Sequence, residues 1–346
     1  MACVWIEGFE THIGTNQMSR KYASLSGSFT AQAGRVFGSA AGMQSTVAVT
    51  PPVASGNTFV IGFGMRFTSH TSTPGEQGLY CELGADEQCH IMVETGSGLG
   101  VRWVLKRGTT TIDTSPYVDV AVWHYMELKL TVRTGTNGAY ELRHNGVDIM
   151  SGTLVNLADT GGDGWDTFAF RFSSNLSTAL RFDDMYVLDG TGSKNNDFLG
   201  PSVVEGILPT AEGTTIDWTI GSGGSTHWDQ VNDLATTPDD TTSGGINHSD
   251  TNAQKDLYNY ADLANITGTI HAVQVGTQLA MNASGTRTVK TKYRDPDTTE
   301  ADGASHVVDS TAYDEFTEVF DDNPASAVAW DVTDIDDGQF GVEVVS

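Results

Sequence analysis

Apolar residues recur along this chain with a period of two. In Thr58–Phe67, Phe59, Ile61, Phe63, Met65 and Phe67 share one face, and Val60, Gly62, Gly64 and Arg66 share the other. That alternation predicts a strand with one side in a thick core. Residues 123–132 repeat it through Met126, Leu128, Leu130 and Val132, with Glu127 and Lys129 outward. Tyr140 and Leu142 then lead into Asn145-Gly146, and apolar residues resume at Val147 and Ile149. Asn-Gly between two such runs predicts a hairpin, because both central turn residues need positive φ. Phe168, Phe170 and Phe172 form a further inward row, followed by Leu180, Phe182, Tyr186 and Leu188. Many short strands with turn chemistry between them, and no sustained helical period in the first half, predict an all-β sandwich or jelly roll.

A polar, turn-rich stretch from Gly190 to Pro201 divides the pattern. It predicts a first sandwich over 1–192, a linker over 193–202 and a smaller β-sandwich over 203–346. In the second part, 214–220, 268–281, 287–293 and 339–345 read as strands. Residues 252–264, with Leu257, Tyr260, Ala261 and Ala264 apolar, fit one or two helical turns. The acidic runs 229–256 and 295–322 read as long surface loops. Asp184 is awkward: alternation places it inward between Phe182 and Tyr186, where a carboxylate needs donors or a cation. The plainer reading is a structural aspartate held by backbone N–H groups of a neighbouring loop.

Charge narrows the partners. The formal net charge is −26, with 12 basic and 18 acidic residues up to position 190, and 6 basic and 26 acidic after it. Such a field repels phosphate backbones and anionic lipid, so neither nucleic acid nor a membrane surface is an expected partner. The N-terminus meets Glu7 and Glu10 before any basic residue, unlike a secretory signal. No run reaches the ~20 apolar residues of a membrane span. The chain is therefore expected to be made in the cytoplasm. Cys3, Cys81 and Cys89 show no metal spacing. Cys81 and Cys89 read as core residues of a hairpin, with a bridge between them as the alternative.

Candidate chemistry is sparse. Glycosidases on lectin-like sandwiches pair carboxylates across ~5–5.5 Å or more on one face. Asp183 and Asp184 are neighbours, which points them to opposite faces of a strand, and Asp334 and Asp336 run into the turn at Asp337-Gly338. No His-Glu-x-x-His, Gly-x-Ser-x-Gly or phosphate-binding loop is present. No catalytic residue is assigned, and the expectation is a protein that is not an enzyme. No cofactor is implied, but Asp159, Asp163 and Asp166 lie on a glycine-rich stretch of the kind that supplies oxygen ligands to calcium. Trp165, among Gly and Asp residues, is the candidate stacking platform for a glycan; a tryptophan of a sandwich is otherwise core.

An ordered set of segments carries a resemblance: GFE at 8–10, WHYMELKL at 123–130, HNGV at 144–147, FDDMYVLDG at 182–190 and NNDFLG at 195–200. It continues through HWDQVND at 227–233, DLYNYADL at 256–263, IHAVQV at 270–275 and AWDVTDIDDGQFGVEV at 329–344. Together these resemble tailed-bacteriophage virion proteins with a concanavalin A-like (laminin-G-like) first domain. The resemblance implies a structural component of the particle, displayed on the head or tail as a decoration or spike. It also implies packing against other virion proteins and against further copies of itself as a homo-oligomer. No catalytic residue comes with it. The alternative is a receptor-binding adhesin for host surface glycans; a glycan depolymerase is opposed by the missing carboxylate pair.

Overall fold

The computed structural model describes residues 3–11, 15–22, 28–44, 56–67, 78–84, 86–96, 98, 100–159, 162–171, 180–221, 224–232 and 245–346. Phe172 of the aromatic row and residues 233–244 of the first acidic run lie outside these. The chain divides into two compact units, Met1–Phe9 with Ile13–Val204, and Glu10–His12 with Glu205–Ser346.

The first unit is a sandwich of two antiparallel sheets. Its strands are β1 (Cys3–Glu7), β2 (Ser28–Ala33), β3 (Ser39–Gln44), β4 (Thr58–Phe67), β5 (Gly78–Leu83), β6 (Asp86–Gly96) and β7 (Gly100–Arg107). They continue as β8 (Thr110–Thr114), β9 (Trp123–Thr131), β10 (Gly138–His144), β11 (Val147–Val155), β12 (Thr167–Arg171) and β13 (Leu180–Leu188). The larger sheet runs β11-β10-β9-β4-β13-β3-β2, with β1 also on β13; the smaller runs β12-β5-β6-β7-β8. The predicted hairpin is present, with Asn145 at φ 50° and Gly146 at φ 82°.

The inward rows of the two sheets meet as aromatic pairs. Phe63 packs edge-on to Phe170 at 5.6 Å, Phe170 lies 5.0 Å from Phe182, and Phe59 stacks on Phe168 at 5.9 Å. Such contacts add to the area burial that drives folding. Cys81 and Cys89 stand directly opposite on β5 and β6 as buried free thiols, so they are core residues of the hairpin. One seven-residue helix, α1 (Thr15–Lys21), occurs where the sequence shows no sustained helical period. Two turns are too few for such a period to register.

The second unit is built on a five-stranded antiparallel sheet. Its strands are β14 (Pro209–Ile216), β15 (Thr219–Ile220), β16 (Asn247–His248), β17 (Lys255–Tyr260), β18 (Val273–Leu279), β19 (Arg287–Arg294), β20 (Glu300–Val308), β21 (Asp314–Phe320) and β22 (Gln339–Val344). The sheet order is β14-β17-β22-β19-β20, and β18 with β21 forms a separate ribbon. The ribbon packs on the sheet through Val275 against Tyr293, Trp330, Ile335 and Phe340.

Two expectations change here. The helical reading of 252–264 fails because Leu257 and Tyr258 are both buried within β17, between β14 and β22. A central strand needs apolar residues on both faces, and that spacing imitates a helix. The acidic run 295–322 contains β20 and β21 rather than one long loop. Its carboxylates are matched across the strands: Lys290 lies 2.6 Å from Asp302, Lys255 lies 2.5 Å from Glu300, and Lys292 also pairs with Asp302. Opposite charges on the paired strands β19 and β20 offset part of the repulsion that the composition suggests.

Candidate functional site

The functional interest of the first unit lies on the outer face of its larger sheet. Period-two geometry assigns Gly62, Gly64 and Arg66 of β4 to that face, beside Glu127, Tyr125 and Trp123 of β9 in register. The two glycines are required by what crosses them. A Cβ at Gly62 would sit 2.2 Å from the Tyr186 ring, and one at Gly64 would sit 2.9 Å from Arg35 Cδ.

A bulge then places both aspartates on this side. The β13–β4 register shifts between Asp183 and Tyr186, and Asp184 adopts φ 50°. The expected opposed pair is therefore a joined pair, and Asp184 turns out of the aromatic core. Arg35 N donates to Asp183 Oδ2 at 2.5 Å, and Arg35 Nε donates to Asp184 Oδ2 at 2.6 Å. Val204 N donates to Asp184 Oδ1 at 2.8 Å, which is the loop amide that the plainer reading of Asp184 anticipated. The Arg35 guanidinium lies 4.8 Å above the Tyr125 ring and also donates to the Ser202 carbonyl. Burial, and then the Asp184 charge, push the Asp183 carboxyl up to about 8; burial likewise raises Asp184 against the pull of Arg35. The guanidinium pairs with Asp184 while Asp183 accepts from the Arg35 and Asp184 amides, so the buried pair retains a proton well above the usual carboxylate range.

Glu127 extends this network. It is fully buried, and its Oε1 accepts from the Tyr186 hydroxyl at 2.5 Å and from Gly200 N at 2.8 Å. Leu199 N donates to the Tyr186 oxygen at 3.2 Å. Residues 199–204, which take in the end of the stretch 193–202 read as a linker, are thus hydrogen-bonded across the outer face as a strap. Arg35, Glu127 and Tyr186 were not identified from sequence; glycines at two outward positions of one strand were the available signal.

Beside the strap the same face is open. Strands β9, β10 and β11 set two cross-strand rows, Lys129–Glu141–Ser151 and Thr131–Ala139–Thr153. These rows, with Tyr140 and Gly152, line a groove of about 440 Å³. Its charges are anchored at the rim. Lys129 Nζ lies 3.1 Å from Asp197, Arg143 Nε lies 2.6 Å from Glu141, and the Arg143 guanidinium stacks 3.9 Å over Phe198. Partial burial opposes ionisation of Asp197, but the Phe198 amide and the Lys129 ammonium outweigh it and hold that carboxyl below the usual range. The groove is a surface of anchored charges and hydroxyls, with Ser151 Oγ donating to Asp148 at 2.8 Å and Thr131 Oγ1 lying 2.9 Å from Thr58 Oγ1.

The residues singled out from sequence lie elsewhere. Trp165 is fully buried, 4.6 Å from Phe59 and 6.0 Å from Phe168, so it is a core residue and no stacking platform. Its backbone bridges to Gly56, which draws this Gly/Asp-rich segment against the sandwich. The three aspartates do not converge. Asp163 accepts from Thr134 N and Oγ1 at 2.7 and 2.9 Å, Asp166 accepts from Gly84 N at 2.8 Å, and Asp159 lies against Gly108. Among the described residues no cluster of three or more His, Cys, Asp or Glu side chains could hold a metal. Among the same residues no helix is long and apolar enough to cross a membrane.

No protein-family profile and no curated protein matches the chain. Solved structures do. Domain 4 of AbnA, an extracellular arabinanase from Geobacillus stearothermophilus in complex with arabinotriose, matches at 16% identity and TM-score 0.36, over 54% of this chain and 93% of that one. The endo-β-1,4-glucuronan lyase of Trichoderma reesei matches at 12% and 0.35, over 52% and 94%. Alginate lyase Aly36B matches at 14% and 0.32, over 50% and 84%. Two of these are enzymes, so the expectation of a protein that is not an enzyme is withdrawn. The likeness is one of β-sandwich fold, and no residue role passes from these proteins to this chain.

Proposed function

We propose that the first unit binds polysaccharide on the outer face of its larger sheet, and that the chain is displayed on the particle of a tailed phage. The observation that carries the binding reading is the open groove of about 440 Å³, floored by Lys129–Glu141–Ser151 and Thr131–Ala139–Thr153. That volume falls within the range of ligand sites, roughly 300–1,000 Å³. A hydroxyl-rich ligand suits it: Ser and Thr hydroxyls both donate and accept, and the charged groups at the rim are already held in place. The particle setting is supported by the ordered resemblance of residues 8–344 to phage virion proteins.

Binding is tested on a panel of bacterial surface polysaccharides, comparing the native chain with Lys129→Met/Ser151→Ala. The expected result is binding of at least one polysaccharide, weakened about tenfold or more in the variant, the equivalent of one charge-assisted hydrogen bond. The same mixtures are read for chain shortening, which would add depolymerisation to binding. Undiminished binding by the variant would overturn the assignment to this groove. Particle proteomics tests the display reading.

A further inference from the structure

A second polar feature lies on the same face, on the other side of the strap. Arg66 of β4 and Arg181 of β13 are direct cross-strand partners, so two arginines start side by side on one face of the sheet. Directly opposed residues hold their Cβ atoms about 4.5–5.5 Å apart, and like charges there are destabilising. Among the described residues, Nε of both side chains is buried without a hydrogen-bond partner. An unpartnered buried donor carries a desolvation cost. Arg35, Arg102, Arg143 and Arg171 each pair with a carboxylate within hydrogen-bonding distance. In a chain of net charge −26, carboxylates are not scarce. Asp183 and Asp184, which follow Arg181 on β13, are taken by Arg35 and by backbone amides.

The surroundings suit a ligand. Trp123, half-buried, is the cross-strand neighbour of Arg66 on β9, and Gly42 is the neighbour of Arg181 on β3. The cross-strand row therefore runs from a glycine, through two arginines, to a tryptophan. Guanidinium groups match the oxygens of a carboxylate or sulfate with parallel N–H donors. An aromatic ring beside them offers a face for the C–H surface of a sugar.

We infer that Arg66 and Arg181 form an oxyanion site that takes the carboxylate of a uronic-acid sugar, with Trp123 against its ring. The inference rests on the polysaccharide reading for its ligand class, but its residues are distinct from those of the groove. It makes the outer face selective for acidic glycans.

The test uses the full chain, with glucuronate, glucose and sulfate as probes at equal ionic strength, read by thermal unfolding and calorimetry. Glucuronate is expected to raise the unfolding temperature and glucose to leave it unchanged. Arg66→Gln/Arg181→Gln should abolish the glucuronate shift and, by removing the repulsion, unfold at a higher temperature than the native chain without ligand. Arg66→Lys/Arg181→Lys keeps the charge without the fork and should weaken glucuronate about tenfold. Circular dichroism checks that each variant folds, and the single Arg181→Gln chain replaces the double variant if that one does not. Lys129→Met/Ser151→Ala should retain the full glucuronate shift, so a failed groove leaves this site readable. An undiminished shift in the Gln variant, or no glucuronate shift in the native chain, overturns the inference. An arginine-dependent shift with sulfate alone overturns the uronate assignment.

Discussion

The two faces of the larger sheet in the first unit are made by the same strands and obey different rules. The inner face is a row of Phe59, Ile61, Phe63, Met65 and Phe182, all buried against the smaller sheet. The outer face has a closed part, where Arg35, Glu127, Asp183, Asp184 and Tyr186 lie under the strap, and an open part, the groove. Burial on the inner face depends on area. On the closed outer face it depends on a shared network of donors and acceptors, so removing one group there harms several others.

The largest effects come from breaking either face. Trp165→Ala should destabilise the first unit by about 3–5 kcal/mol, as a buried aromatic truncation does. Its polysaccharide affinity, measured while folded, should be unchanged. Arg35→Met should cost a similar amount, about 3–5 kcal/mol, because the buried Asp184 carboxylate loses its guanidinium partner. Urea unfolding followed by tryptophan fluorescence measures both. If Arg35→Met proves neutral, the closed part of the outer face is not the network described.

A further effect separates the faces by pH. Asp183 titrates at about 8 in the folded chain against an ordinary value of 3.8. Between those values the folded state holds a proton that the unfolded state has released. The contribution is therefore complete below pH about 4 and is lost as pH rises towards 8. Stability of the first unit should fall across that window, and Asp183→Asn should flatten the slope. A native chain that gains stability from pH 4 to 8 through this pair would contradict the assignment. Smallest of all, Thr153→Ala in the groove should change stability by less than about 0.5 kcal/mol, as surface substitutions do, while weakening polysaccharide binding.

The inner face was legible in the sequence because its signal is local: alternation at Phe59–Phe67 and at Met126–Val132, closed by the Asn145-Gly146 turn. The outer network was not, because periodicity says which residues leave the core but not which segment covers them. Gly62 and Gly64 announced a close approach without naming Tyr186 or Arg35. The bulge at Asp184 reversed an inference that holds for a regular strand. Trp165 misled for a related reason: a Gly/Asp-rich context marks a tight path for the backbone, and here that path leads into the core. In the second unit, acidity hid β20 and β21; the lysine partners of β20 lie on other strands.

The most direct test of the account is hydrogen exchange on the native chain with and without a polysaccharide that it binds. The account predicts added protection on the outer face of the larger sheet, at 129–131, 139–141 and 151–153, with the second unit unchanged. Protection confined to the smaller sheet or to the second unit, with these strands unaffected, would contradict it.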